Sequence, residues 1–204
     1  MHNTGKKHHF CIMSPTLRSS ILIPAIIAIL GFSPGNSNAQ CQMGEEDAGV
    51  YKQMRFSMDN GLYGDAKIRA KVLITKYGNL CPELYYDAGW LSYMTESWWD
   101  TIEFMKLALI TMKYSNQRQL FAYAAVGIAY YNVDYYSEAI QYLDKAISLE
   151  SKADYYKYRG LAYYKLEDFD MALLNFQEAK KLGSEFNSSE SDIFWDAASK
   201  IKER

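Results

Sequence analysis

The chain reads as an all-α array of about four antiparallel helix pairs closed by a C-terminal capping helix. Three observations predict it. Val126-Gly127-Ile128-Ala129-Tyr130-Tyr131 recurs thirty-three residues later as Arg159-Gly160-Leu161-Ala162-Tyr163-Tyr164. Tyr136-Ser137-Glu138-Ala139-Ile140, followed by Ala146, recurs at the same shift as Phe169-Asp170-Met171-Ala172-Leu173, followed by Ala179. Tyr123, Gly127 and Tyr130 fall at i, i+4 and i+7, so they share one face of a helix. A period of this size marks units that cannot bury an apolar face alone, so the stack supplies the core and its surface carries the function.

The first element is a leader. Lys6, Lys7 and Arg18 precede an uncharged apolar run from Ile21 to Phe32, and Ser33-Pro34-Gly35-Asn36-Ser37-Asn38-Ala39 follows with small residues at Ser37 and Ala39. That order predicts a secretory signal peptide over 1–39, cleaved after Ala39, and an exported protein, periplasmic or secreted. A start at Met13 would keep Arg18 ahead of the run and leave this reading intact. The run is shorter than the roughly 20 apolar residues that span a bilayer. Cys41 follows Gln40, whereas lipoprotein signals place a small residue before the cysteine, so no stable membrane anchor is expected after cleavage.

Cleavage narrows the chemistry. It removes His2, His8 and His9, all the histidine in the chain, together with Cys11. Of 22 basic residues three (Lys6, Lys7, Arg18) are lost, leaving 19 against 24 acidic ones, a net charge of −5. That sign argues against nucleic acid as partner, which requires a basic stripe. Without histidine there is no Ser-His-Asp or Cys-His pair, and the commonest zinc ligand is missing. The acidic runs Glu45-Glu46-Asp47 and Glu167-Asp168 fall at a helix start and a turn, where carboxylates meet the positive helix end. No Gly-rich phosphate loop and no metal-ligand spacing occur, so neither enzyme activity, cofactor nor metal is expected. Cys41 and Cys81 remain as an even pair and predict a disulfide in an oxidising compartment.

Beyond a short segment at 40–46, the array occupies 47–182, with units near 47–80, 82–115, 120–151 and 153–184. The first copy reads Val50, Met54, Ser57, Tyr63, Ala66, Ala70 and lacks the glycine of the repeat motif. The second reads Tyr85, Gly89, Ser92, Trp98, Thr101, Met105, Ala108. Gly89, Gly127 and Gly160 leave room where the helices of a unit cross, and Ala139 and Ala172 do so on the second helix. Tyr130 and Tyr163 fill the space beside them, while Ala146 and Ala179 recur further along. An aromatic residue, Tyr63, Trp98, Tyr136 or Phe169, stands where each second helix begins. Gly183 then stops a helix, and Ser188 or Ser189 is a suitable N-cap for the capping helix within 185–204. Its apolar face is Ile193, Phe194, Ala197 and Ile201.

Tyr123-x2-Val126-Gly127-x2-Tyr130 and Tyr156-x2-Arg159-Gly160-x2-Tyr163, the latter followed by Ala172-x3-Phe176-x2-Ala179, resemble the tetratricopeptide repeat, whose first helix reads aromatic-x2-Leu-Gly-x2-Tyr and whose second carries Ala-x3-Phe and a further Ala, over about residues 47–182. Sel1-like repeats are similar but carry glycine-rich turns, which Asn132-Val133-Asp134 and Leu166-Glu167-Asp168 are not. The resemblance implies a right-handed superhelix whose first helices line an inner groove. Carried over by position, that groove holds Tyr51, Arg55 and Met58, then Tyr86, Trp90 and Tyr93, then Ala124, Ile128 and Tyr131, then Lys157, Leu161 and Tyr164. Tyr51, Tyr86, Trp90, Tyr93, Tyr131, Lys157 and Tyr164 are the candidate partner contacts, as large rings with polar tips suit peptide binding. The competing role for each ring is packing between units. The Lys/Asn/Arg clamp that some relatives use for chaperone tails is incomplete, with Tyr51 and Tyr86 at its first positions. The implied function is a non-catalytic module that holds a partner peptide or helix in an aromatic groove. The alternative is a structural or oligomerisation subunit of an envelope complex whose apolar stripe is permanently covered.

Overall fold

The turn inside each helix pair, and the turn ahead of the last helix, place one left-handed residue at the same point. The computed structural model describes residues 43–111 and 116–203, so the expected signal peptide, its cleavage site and Cys41 lie outside the described residues. The helices are α1 (Glu45–Asp59), α2 (Tyr63–Tyr77), α3 (Glu83–Met94), α4 (Trp98–Thr111), α5 (Asn116–Asn132), α6 (Tyr136–Leu149), α7 (Ala153–Lys165), α8 (Phe169–Lys181) and α9 (Ser188–Lys202). Successive helices pack against each other throughout, and α3, α5, α7 and α9 also touch in succession. The chain is thus the all-α stack of helix pairs, with α9 seated on α8 and α7 as the first helix of a further unit would be.

Each pair crosses closely at one point. A Cβ added at Gly89 would lie 2.7 Å from Cγ of Met105, and one at Gly127 would lie 2.7 Å from Cγ of Leu143. At Gly160 the same atom would meet two ring carbons of Phe176 at 2.7 Å. The bulky partner is always sixteen residues after the glycine. Applied to the first unit, that offset joins Met54 to Ala70, both without exposed surface. The unit that lacks a glycine at this position has exchanged its large and small residues between helices, which conserves the volume at the crossing. Ala139, Ala146, Ala172 and Ala179 are likewise fully buried, Tyr130 is buried and Tyr163 half-buried.

The turns close in one way whether or not glycine is present. Gly61, Glu96, Asp134 and Glu167 have φ of 74°, 52°, 65° and 61°, and Gly183 has 90°. In each case the next backbone N–H donates five residues back: Leu62 to Ser57, Ser97 to Ser92, Tyr135 to Tyr130, Asp168 to Tyr163 and Ser184 to Ala179, at 2.8–3.0 Å. This is the Schellman closure, which satisfies carbonyls left open at a helix end. The second helix then starts on Tyr63, Trp98, Tyr136 or Phe169. One cap differs from expectation. α9 is capped by Asn187 rather than Ser188 or Ser189, because Glu190 completes a reciprocal box with it: the Asn187 side chain accepts from Glu190 N at 2.9 Å, and Asn187 N donates to the Glu190 carboxylate at 2.9 Å.

Gly160→Leu is expected to overpack the α7–α8 crossing and cost about 1–3 kcal/mol or more, measured as a lowered thermal midpoint; an unchanged midpoint would mean that the ring of Phe176 yields. Glu167→Gly should instead raise stability by up to about 1 kcal/mol, because the left-handed turn no longer carries a Cβ, and urea unfolding of that variant checks the sign.

Candidate functional site: the inner wall

The first helices form one wall, and the aromatic residues on it have two jobs. Tyr93 meets Trp98 at 6.0 Å between ring centroids, Tyr131 meets Tyr136 at 5.9 Å and Tyr164 meets Phe169 at 5.7 Å. Each pair spans five residues across the turn, from the last turn of a first helix to the opening residue of its partner, so these rings brace the hairpin. The same rings reach onward. Tyr93 packs on Phe121 at 5.6 Å and Tyr131 on Tyr158 at 5.6 Å, linking each unit to the next.

Burial therefore corrects the open aromatic groove expected in the second unit. Tyr86, Trp90 and Tyr93 are 3%, 4% and 9% exposed. Trp90 presents its ring to the edge of Tyr63 at 5.3 Å, and Tyr86 packs against Phe121 at 6.1 Å. Their large apolar faces are spent on neighbouring units, and burial pushes the Tyr93 hydroxyl far above the usual phenol range. At the other end the capping helix occupies the wall. Lys157 pairs with Glu190 at 3.2 Å and Asp154 at 3.7 Å, and the Tyr164 hydroxyl donates to Asp196 at 2.6 Å. Tyr51 and Tyr131 keep partly open faces. Burial raises both phenols, with Asp87 adding to the effect at Tyr51 and Glu190 at Tyr131.

Sequence reasoning did not single out the charge at the centre of this wall. Asp87 on α3 is 7% exposed and lies 3.5 Å from the Arg55 guanidinium of α1. Its other oxygen, Oδ2, is buried with no hydrogen-bond partner among the described residues. Desolvation pushes its carboxyl up to about 6, against the pull of Arg55 and of Arg118, and Glu83 adds a small further push upward. The Arg118 guanidinium stands 5.2 Å from the centre of the Tyr86 ring. Three first helices are thus joined through one acid. A lone Asp in an aromatic stretch carries no motif, so no spacing pointed to it; only the positions of Arg55 and Arg118 give it meaning. Among the described residues no cluster of His, Cys, Asp and Glu could hold a metal ion, and no helix is long and apolar enough to cross a membrane.

No family model matches the chain, and no curated protein does. Solved structures do. It is similar to a crystal structure of MamA, with 24% identity and a TM-score of 0.55 over 78% of this chain and 85% of that one. It is also similar to MamA from residue 41 to its end from Desulfovibrio magneticus RS-1, with 18% identity and a TM-score of 0.60 over 79% of this chain and 94% of that one. At these identities the likeness establishes the fold, a tetratricopeptide-like helical repeat.

Asp87 sets a pH signature. Its carboxyl titrates near 3.8 when unperturbed and near 6 in the fold, so between those values the folded state holds a proton that the unfolded chain has lost. Stability from this group is fully present below pH 4 and falls as pH rises to about 6, by at most about 3 kcal/mol. Asp87→Asn should remove that decline while leaving the other carboxylates in place; urea midpoints of both proteins at several pH values between 4 and 7 test it, and parallel curves would contradict it.

Proposed function

We propose that the chain is an exported, non-catalytic interaction module that receives a segment of a partner protein along its inner wall. One observation carries the reading: Tyr51 on α1 and Tyr131 on α5 are partly exposed, as are Arg55 and Arg118, along the wall that α3, α5, α7 and α9 build and that α1 joins through the Arg55–Asp87 pair. Tyrosine and arginine dominate the energetic centres of protein interfaces, because they combine large contact area with directed polar groups. The segment is an extended peptide or a helix, the shapes that a helical groove accepts. Export is supported by the basic, apolar and small-residue order of the first 39 residues. We further propose that Cys41 pairs with Cys81, which is fully buried just ahead of α3 and would tie the mature N-terminus to the junction of the first two units.

A subunit whose inner stripe is permanently covered by another chain is the weaker alternative. Tyr86, Trp90 and Tyr93 are covered by the chain's own units, so little apolar area on this wall demands a permanent lid.

Photo-crosslinking residues placed at Tyr51 and Tyr131 in the exporting cell should give the same discrete adduct, and one at Leu174, 56% exposed on α8, should not. Intact mass of the recovered protein should correspond to a chain beginning at Gln40 with no free thiol. Equal labelling from Leu174, or no adduct at either tyrosine, would overturn the inner-wall reading; a retained leader would overturn export alone.

A further inference from the structure

The outer face of α4 has an arrangement that the inner wall does not explain. Thr101, Phe104, Met105 and Ala108 point into the core, each no more than 7% exposed. One open groove is lined by Trp99, Ile102, Glu103, Lys106, Leu107 and Ile110; Ile102 is only 6% exposed, so the outer face proper is Trp99, Glu103, Lys106 and Ile110, flanked by Leu107. Trp99 is 58% exposed and Ile110 80%, unusual values for such large apolar side chains on one helix. Tyr135 stands edge-on to Trp99 at 5.4 Å and extends the apolar rim.

We propose that this face pairs with the same face of a second copy of the chain, antiparallel, about a two-fold axis that runs between the two helices, level with the step from Phe104 to Met105. The order of residues is its own complement under that operation. Trp99 falls level with Ile110 of the second copy, and Glu103 level with Lys106. Both apolar ends are thereby covered and both charges meet the opposite sign, twice per dimer, which a two-fold interface requires of any patch that binds itself. The axis lies outside the helix, on the side away from Phe104 and Met105, as their burial demands. Lys106 is held in place by donating to the Tyr130 hydroxyl at 3.3 Å, and an ammonium keeps two further donors for a carboxylate. A foreign helix could cover the apolar residues equally well, but it would match the central Glu103 and Lys106 only by carrying the same pattern reversed.

Sedimentation velocity on the purified protein, over a roughly hundredfold range of concentration, should show a monomer–dimer equilibrium. Glu103→Lys places lysine opposite lysine and should raise the dimer dissociation constant at least about tenfold. Glu103→Lys with Lys106→Glu restores opposite charges about the axis and should recover most of that loss, while circular dichroism shows all forms equally helical. A protein that stays monomeric, a dimer indifferent to Glu103→Lys, or a double variant no better than the single one would each overturn the proposal. None of these outcomes bears on the inner wall, which lies on the first helices.

Discussion

The close crossing within each unit is the constraint on which the remaining geometry depends. With no side chain at Gly89, Gly127 or Gly160, the second helix can bring Met105, Leu143 or Phe176 directly onto the backbone of the first. The interhelical distance is then fixed by one residue pair, and the turn must close at a set length. That length puts the brace pairs Tyr93–Trp98, Tyr131–Tyr136 and Tyr164–Phe169 within ring contact. A packed interior tolerates exchange of volume between neighbours better than a change in total volume. The first unit shows this, with Met54 and Ala70 in the reversed roles.

Much of this architecture can be read from the residues, and the reasons for the exceptions are physical. Gly127, Gly160 and the aromatic residues that open each second helix repeat at fixed distance because each has one job defined within its own unit. The turns were harder to read, since Glu96, Asp134 and Glu167 occupy a backbone conformation usually given to glycine. The hydrogen bond across the turn, not the residue type, holds them there. The cap at Asn187 was missed for a related reason: Ser188 and Ser189 are good caps in isolation, but Glu190 sits at the right distance only from Asn187. For the site, sequence spacing puts Tyr86, Trp90 and Tyr93 on one helix face but does not show what lies against it. Phe121 and Tyr63 belong to neighbouring units, and contacts between units leave no local pattern.

Electrostatics divides the wall into two ends with different character. Near α3 a single desolvated acid is held between two guanidinium groups from adjacent units, an arrangement whose desolvation cost the attraction only partly offsets. Near α7 the charges are neutralised by the capping helix, through Glu190 and Asp196. The cap does more than cover apolar surface, because it also consumes the polar groups that the last unit would offer to a ligand. The accessible stretch of wall is consequently shorter than four units.

The pattern of helix contacts has one further consequence. Every helix packs on its sequence neighbours and, at most, on the helix after next, so no part of the array waits on a distant segment to close it. Chain-closure entropy is paid in small loops, which favours rapid assembly. Damage is correspondingly local: a lesion in one unit loosens the two that flank it, and the ends can fray while the middle persists. Amide exchange along such a chain should be graded from the middle outward instead of uniform, and the molecule behaves less like one folded object than like a short row of coupled ones.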